Sequence, residues 1–166
     1  MNFSELRDKL KYPSIIKAPN STEFLREKAI FLAGSIEMGK AVDWQTDLTK
    51  DILKDHDDVT LLNPRRSDWD SSWEQKIENK QFREQVEWEL AAMDKADIII
   101  MYFAPDTQSP ISLLELGLHA QSDKLIVYCP EGFWRKGNVD VLCNRYNIKQ
   151  VSSFEEMRIE IAKGLQ

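Results

Sequence analysis

The chain has 166 residues, of which 42% are hydrophobic and 30% charged, and its formal net charge is −6. This composition is typical of one globular domain that is large enough to bury a core without disulfides or metals. The acidic balance argues against a nucleic acid polymer as partner, and no apolar run approaches the roughly 20 residues of a membrane span.

Short apolar runs alternate with helical patterns along the chain. Residues 1–28 are predicted to be an N-terminal extension of an α/β domain over 29–166, and the charges in "MNFSELRDKLKY" are untypical of a signal peptide, so we expect a cytoplasmic location. The predicted strands are 29–34, 59–63, 97–104, 124–130 and 148–153, and the predicted helices are 43–55, 78–95, 110–122, 138–146 and 153–165. The pattern favours a three-layer, flavodoxin-like or Rossmann-like domain with five parallel strands.

The loop after the first of these strands reads "GSIEMGKA". Gly34 and Ser35 close the strand, and we predict that they bind substrate by exposing N–H groups at the edge of the sheet where ligands bind. The stretch nearly matches the phosphate loop G-x-x-x-x-G-K-[ST], but Ala41 replaces the hydroxyl that would hold magnesium. A nucleoside triphosphatase is therefore the least favoured alternative.

The helix predicted over 78–95 carries an apolar stripe of Phe82, Val86, Leu90 and Met93. Glu89 falls between Val86 and Met93 at helical spacing, which makes it a candidate for the binding cleft. A flanking side chain that reaches water is an equally favoured interpretation.

The stretch "SPISLLELGLHA" predicts a helix with Ser109 as the N-cap residue and Pro110 in the first turn. Leu114 and Leu118 are predicted to pack on the sheet, and Glu115 adjoins that face and leans toward the cleft.

The alternative for Glu115 is a capping box with Ser112, in which the carboxylate only accepts a backbone N–H. If both Glu115 and Glu89 face one cleft, however, they form the pair of carboxylates that glycosyl transfer requires.

Histidine and cysteine offer no other chemistry. His56 and His119 are the only histidines, and they lie far apart in the sequence. Cys129 and Cys143 show no metal-ligand spacing and are expected to be reduced thiols. We therefore predict neither a metal nor a cofactor.

Two stretches, "IFLAGSI" and "FREQVEWELAAMDKADIIIMYFAPDTQSPISLLELGLHA", resemble the nucleoside 2-deoxyribosyltransferase family and its relatives that hydrolyse nucleotide N-glycosidic bonds. The resemblance covers roughly residues 29–150. It implies that Glu115 of "ELG" is the nucleophile that forms a covalent deoxyribosyl–enzyme intermediate, and that Glu89 is an active-site acid in place of the usual Asp. It also implies that Asn138 reaches the sugar in a neighbouring subunit's site, so that the protein would be a homodimer or a larger homo-oligomer.

The same resemblance suggests residues that bind the rest of the substrate. Ser109 stands where the transferases often have an Asp that contacts the base and where the hydrolases have a Ser that contacts phosphate. Glu37 replaces an Arg of the hydrolases and would repel a 5′-phosphate. The stretch "NPRRSDWD" is similar to the loop laid over the base, so Trp69 is expected to stack on the base and Asp68 to accept its hydrogen bonds.

The expected activity is cleavage of the N-glycosidic bond of a 2′-deoxyribonucleoside with transfer of the sugar to another base. The expected partners are a small nucleoside or nucleotide and a nucleobase. Two alternatives stay open at this point: an N-glycosidase that transfers the sugar to water, and a nucleotide-binding module without catalysis.

Overall fold

The computed structural model describes residues 5, 8, 11–37 and 41–166. The strands are β1 (Ile15–Lys17), β2 (Lys28–Gly34), β3 (Val59–Asn63), β4 (Ile98–Tyr102), β5 (Leu125–Tyr128) and β6 (Lys149–Val151). The helices are α1 (Trp44–Asp55), α2 (Lys80–Lys95), α3 (Pro110–His119), α4 (Lys136–Arg145) and α5 (Phe154–Gly164). Within the described ranges, no helix is long and apolar enough to cross a membrane. The Gly39 and Lys40 of the near phosphate loop lie outside the described residues.

The strands form one sheet in the order β1-β3-β2-β4-β5-β6. The registers of β1 with β3, β2 with β3, β4 with β5 and β5 with β6 are all parallel. The predicted α/β fold with a parallel sheet is therefore confirmed, with six strands instead of five. The interiors of β2 and β3 are buried throughout, which is expected of parallel strands covered on both faces.

The additional strand comes from the segment 1–28 that we predicted as an extension. Ile15 pairs with Leu61, and Ile16 pairs with Leu62, so β1 extends the sheet beyond β3. The segment is held further by Thr60, whose hydroxyl donates to the Pro13 carbonyl at 2.8 Å. A three-residue strand with one buried side chain gives too short an apolar pattern to be recognised from sequence.

Without β1, the strand order is the one found in flavodoxin-like domains. The chain leaves β2 for β3 on one side and later returns to β4 on the other side. In such sheets, ligands bind where the order reverses, outside the carboxyl ends of the strands. The fold therefore directs attention to the ends of β2 and β4.

The chain divides into two compact units, one formed by Met1–Phe31 and Gln45–Asp97, and the other by Leu32–Trp44 and Ile98–Gln166. We call them the first and the second unit. The first contains β1, β3, α2 and most of α1, and the second contains β4 to β6 and α3 to α5.

The face predicted to be buried was wrong for α3, and the apolar stripe named on α2 is buried only in part. On α3, the side chains of Leu114 and Leu118 are 69% and 60% exposed. The buried positions of α3 are Ser112, Glu115, Leu116 and His119. This helix is apolar at most positions, so its sequence does not mark one face. On α2, Val86 and Leu90 are exposed, whereas Gln85, Ala92 and Met93 are buried.

Candidate active site

Gly34 ends β2 in a conformation with φ +127°, which only glycine adopts readily. A Cβ atom at this position would lie 2.7 Å from the backbone nitrogen of Tyr102 and closer still to its carbonyl oxygen. The adjacent Ser35 N–H donates to that oxygen at 2.9 Å. We expected the Ser35 N–H to be exposed, and this expectation was wrong, because the N–H donates to a carbonyl of the sheet. A direct contact of Gly34 or Ser35 with substrate stays a prediction.

Three buried hydroxyls meet in the second unit, and we call them the hydroxyl triangle: Ser35, Thr107 and Ser109. The Ser35 Oγ lies 2.8 Å from Thr107 Oγ1 and 2.6 Å from Ser109 Oγ, and the last two atoms are 2.8 Å apart. Thr107 donates its proton to the Ala104 carbonyl, and the Ala104 N–H donates to Ser35 Oγ. Two hydroxyl protons are left for three contacts, so the triangle has more than one arrangement of donors and acceptors.

Ser109 lies at the start of α3 in a left-handed conformation, with φ +45°. The helix begins at Pro110 as predicted, but the side chain of Ser109 makes no cap hydrogen bond, because its hydroxyl belongs to the triangle. Glu37 supplies a carboxylate there instead. Its Oε1 accepts the N–H of Gln108 at 3.0 Å and the N–H of Ser109 at 2.7 Å.

Glu115 is the sixth residue of α3 and is only 7% exposed. Since the helix starts at Pro110, Ser112 lies inside the helix and is not its N-cap residue, as a capping box with Glu115 would require. Glutamate is one of the residue types that are least often buried. The burial of this carboxylate, one and a half turns into a helix that starts beside the triangle, makes it the strongest candidate for chemistry.

Trp134 is an exposed aromatic residue of the second unit that sequence reasoning passed over. Its indole is 52% exposed, and its Nε1 donates to the Gln108 carbonyl at 2.9 Å. The guanidinium of Arg135 lies 4.3 Å from the indole ring. Its position in the loop after β5, at the carboxyl edge of the sheet, was the sequence signal that could have made this tryptophan a candidate site residue.

Glu89 lies on α2 in the first unit, near the buried positions of that helix and partly exposed. Gln85, one turn earlier, donates from Nε2 to Glu89 Oε1 at 2.6 Å and to the Pro64 carbonyl at 2.9 Å. The Gln85 amide therefore links the Glu89 carboxylate to the loop after β3 through two hydrogen bonds. Sequence reasoning missed Gln85, although the spacing of four residues permits such a contact.

In the loop predicted to cover the base, side chains contact one another within the first unit. Asp68 is exposed and accepts two hydrogen bonds of 2.9 Å from Arg66, which hold the pKa of this carboxyl below its usual range. The Trp69 ring packs edge-on against Trp73 at 5.1 Å, and Arg66 lies over the Trp73 ring. The roles of Asp68 and Trp69 toward a base stay predictions.

Asn138 is exposed on α4, and its role in a neighbouring subunit's site also stays a prediction.

Among the described residues, no three His, Cys, Asp or Glu side chains are grouped to hold a metal ion. Burial raises the pKa of the Tyr102 hydroxyl, which lies at the end of β4.

Comparison with known proteins identifies the family of the chain. The family described as "nucleoside 2-deoxyribosyltransferase like" matches residues 27–133. The chain belongs to this family. The match spans the ends of β2 and β4, the hydroxyl triangle and Glu115. No curated protein matches the chain.

A solved structure of this fold gives further support for the architecture. A crystal structure of a conserved protein from Enterococcus faecalis matches with a TM-score of 0.60 and 14% sequence identity, over 82% of this chain and 98% of that chain. At this identity, the likeness concerns the fold alone. Membership of the nucleoside 2-deoxyribosyltransferase-like family supports glycosyl transfer or glycosidase activity on small nucleoside substrates as the general class.

Proposed function

We propose that the protein cleaves the N-glycosidic bond of 2′-deoxyribonucleosides and transfers the sugar to another base. The observation that carries this proposal is the burial of the Glu115 carboxylate in a helix that begins at the sheet's point of reversal, within a chain of this family. An ionisable side chain at a position that packing would fill with an apolar residue is typical of a catalytic group.

In the first step, a carboxylate oxygen of Glu115 forms a bond to the anomeric carbon while the bond from that carbon to the base nitrogen breaks. The electron pair leaves with the base, which takes a proton from Glu89 or from a water molecule. In the second step, a nitrogen of the acceptor base displaces the carboxylate and loses a proton. Two displacements at one carbon retain its configuration.

Base exchange tests the nucleophile. Glu115→Gln keeps the shape of the side chain but replaces the carboxylate with a neutral amide, which is a far weaker nucleophile, so exchange between a deoxynucleoside and a free base is expected to fall by about 10³-fold or more. Glu155→Gln is the matched control, because Glu155 is an exposed first-turn residue of α5. Wild-type exchange rates in Glu115→Gln would remove the assignment, whereas a sugar adduct on Glu115 in a mass spectrum of trapped enzyme would support it.

Glu89→Gln tests the proton donor. The expected loss in kcat is about 10²–10⁴-fold, because general acid catalysis contributes that much. Glu87→Gln, on an exposed position of the same helix, should leave kcat unchanged. Equal kcat values in the two variants would assign the proton to water.

The choice of acceptor separates transfer from hydrolysis. Transfer predicts a new nucleoside when an acceptor base is added, whereas an N-glycosidase releases free sugar with or without it. Nucleoside binding without any turnover would instead indicate a binding module.

A further inference from the structure

Gln85 is a buried polar side chain of α2 in the first unit, and it is only 4% exposed. Its amide nitrogen has two hydrogens, and both are donated: one to the Pro64 carbonyl at 2.9 Å and one to Glu89 Oε1 at 2.6 Å. The amide oxygen of Gln85 is also buried, but it has no hydrogen-bond partner among the residues that the structure describes. A buried acceptor without a partner destabilises a fold, so this orientation of the amide requires an explanation.

The Pro64 carbonyl explains the orientation. If the amide were flipped, its oxygen would face two other oxygens, and a carbonyl cannot donate a proton to it in any state. The carbonyl lies at a well-fixed point, because the next residue, Arg65, donates its backbone N–H to Asn63 Oδ1 at 3.0 Å. Gln85 therefore presents an N–H to Glu89 whether Glu89 is charged or protonated.

This contact makes the two carboxyl oxygens of Glu89 unequal. An N–H donated to a carboxyl oxygen stabilises negative charge there, so a proton binds to the other oxygen instead. When Glu89 is protonated, its proton therefore lies on Oε2. After Oε2 has released the proton, the Gln85 N–H stabilises the carboxylate that remains.

We infer that Gln85 is a positioning residue, which holds Glu89 so that Oε2 is the oxygen that passes a proton to the departing base. This inference rests on the proposed function for the reaction itself. In the transfer, the bond between Oε2 and hydrogen breaks and its electron pair stays on Glu89, while a nitrogen of the base forms the new bond to hydrogen. Because the Gln85 amide also holds the Pro64 carbonyl, it fixes the acid relative to the loop that is predicted to cover the base.

NMR spectroscopy tests the contact without turnover. The side-chain amide signals of Gln85 are those that disappear in Gln85→Met, a variant that keeps the length of the side chain but has no donor. In Glu89→Ala, one of these two proton signals should move to higher field, because its acceptor is lost. Glu87→Ala, at an exposed position of the same helix, should leave both signals in place.

A double-mutant cycle tests the role of Gln85 in the reaction. Gln85→Met is expected to lower kcat for nucleoside cleavage by about 10²-fold, which is typical of a catalytic group misplaced by about 1 Å, and to change KM little. In a Glu89→Gln background no acid is left to position, so Gln85→Met should lower kcat no further. Gln81→Met is the matched control, because Gln81 is an exposed glutamine one turn earlier on α2, and it should keep the wild-type kcat.

The outcomes separate the two claims. If wild type cleaves no nucleoside, the proposed function fails, and NMR alone decides whether Gln85 holds Glu89. The inference is overturned if the Gln85 signals do not respond to Glu89→Ala, or if Gln85→Met has the wild-type kcat. It is equally overturned if Gln85→Met lowers kcat by the same factor in both backgrounds, because Gln85 would then act on the fold and not through Glu89. Gln85→Leu replaces Gln85→Met in both experiments if the methionine variant does not fold.

Discussion

Replacing Gly34 with alanine should destabilise the protein strongly, because two costs combine at this position. The φ of +127° is outside the range that alanine adopts easily, which costs about 1–3 kcal/mol. The added methyl group would also meet the backbone of Tyr102, including its nitrogen at 2.7 Å, and backbone cannot swing aside as a side chain can. Overpacking of this kind costs about 1–3 kcal/mol more, so the free energy of unfolding should fall by about 2–6 kcal/mol.

Gly117→Ala provides the control for this substitution. Gly117 lies within α3, and a Cβ there would meet nothing within 4 Å. Alanine should therefore stabilise the helix by about 0.5–1 kcal/mol. Urea unfolding of both variants, followed by circular dichroism, measures the two free energies. A Gly34→Ala protein as stable as wild type would refute the close approach of β2 to β4 and the backbone conformation on which the position of Ser35 depends.

Two further predictions concern buried side chains. Leu116 is buried, so Leu116→Ala should lower the free energy of unfolding by about 2–5 kcal/mol. Leu114 is exposed, so Leu114→Ala should change it by less than about 0.5 kcal/mol. Urea titrations measure both values, and equal losses would contradict the assignment of the buried face of α3. Burial raises the pKa of the Cys129 thiol to about 11 and that of Cys143 to about 12, so both thiols stay neutral near pH 8. Because the thiols ionise at a lower pH in the unfolded chain, the free energy of unfolding should decline as the pH rises through 9 toward 11. A thiol reagent at pH 8 should label them over 100-fold more slowly in the native protein than in urea, and rapid labelling of native protein would contradict this.

The elements of the fold were largely predictable because each has a local signal. Continuous apolar runs mark the buried strands, and Pro110 marks the start of α3. The buried face of α3 was not predictable from its sequence. Leucines at 113, 114, 116 and 118 surround the helix, and only the packing partner decides which of them is covered.

The candidate site was predictable where one residue carries the signal and unpredictable where distant residues combine. Glu115 stands out within its own helix, because it interrupts an apolar pattern. The contact between Ser35 and Ser109 joins residues 74 positions apart, and that between Glu37 and Ser109 joins residues 72 positions apart. No periodicity encodes such contacts, because they arise only when the ends of two strands meet. The side chain of Gln85 was overlooked for another reason, since a polar residue on a helix is ordinarily assigned to solvent.

The short strand β1 has a practical consequence for anyone who shortens this chain. A protein that began near residue 28 would keep the whole region matched by the family, yet the hydrogen-bonding edge of β3 would lose its cover. Bare edges of this kind recruit strands from other molecules. Such a truncated protein is expected to aggregate. The residues before β2, which the sequence pattern places outside the α/β domain, therefore protect the edge of β3 against fibre-like self-association.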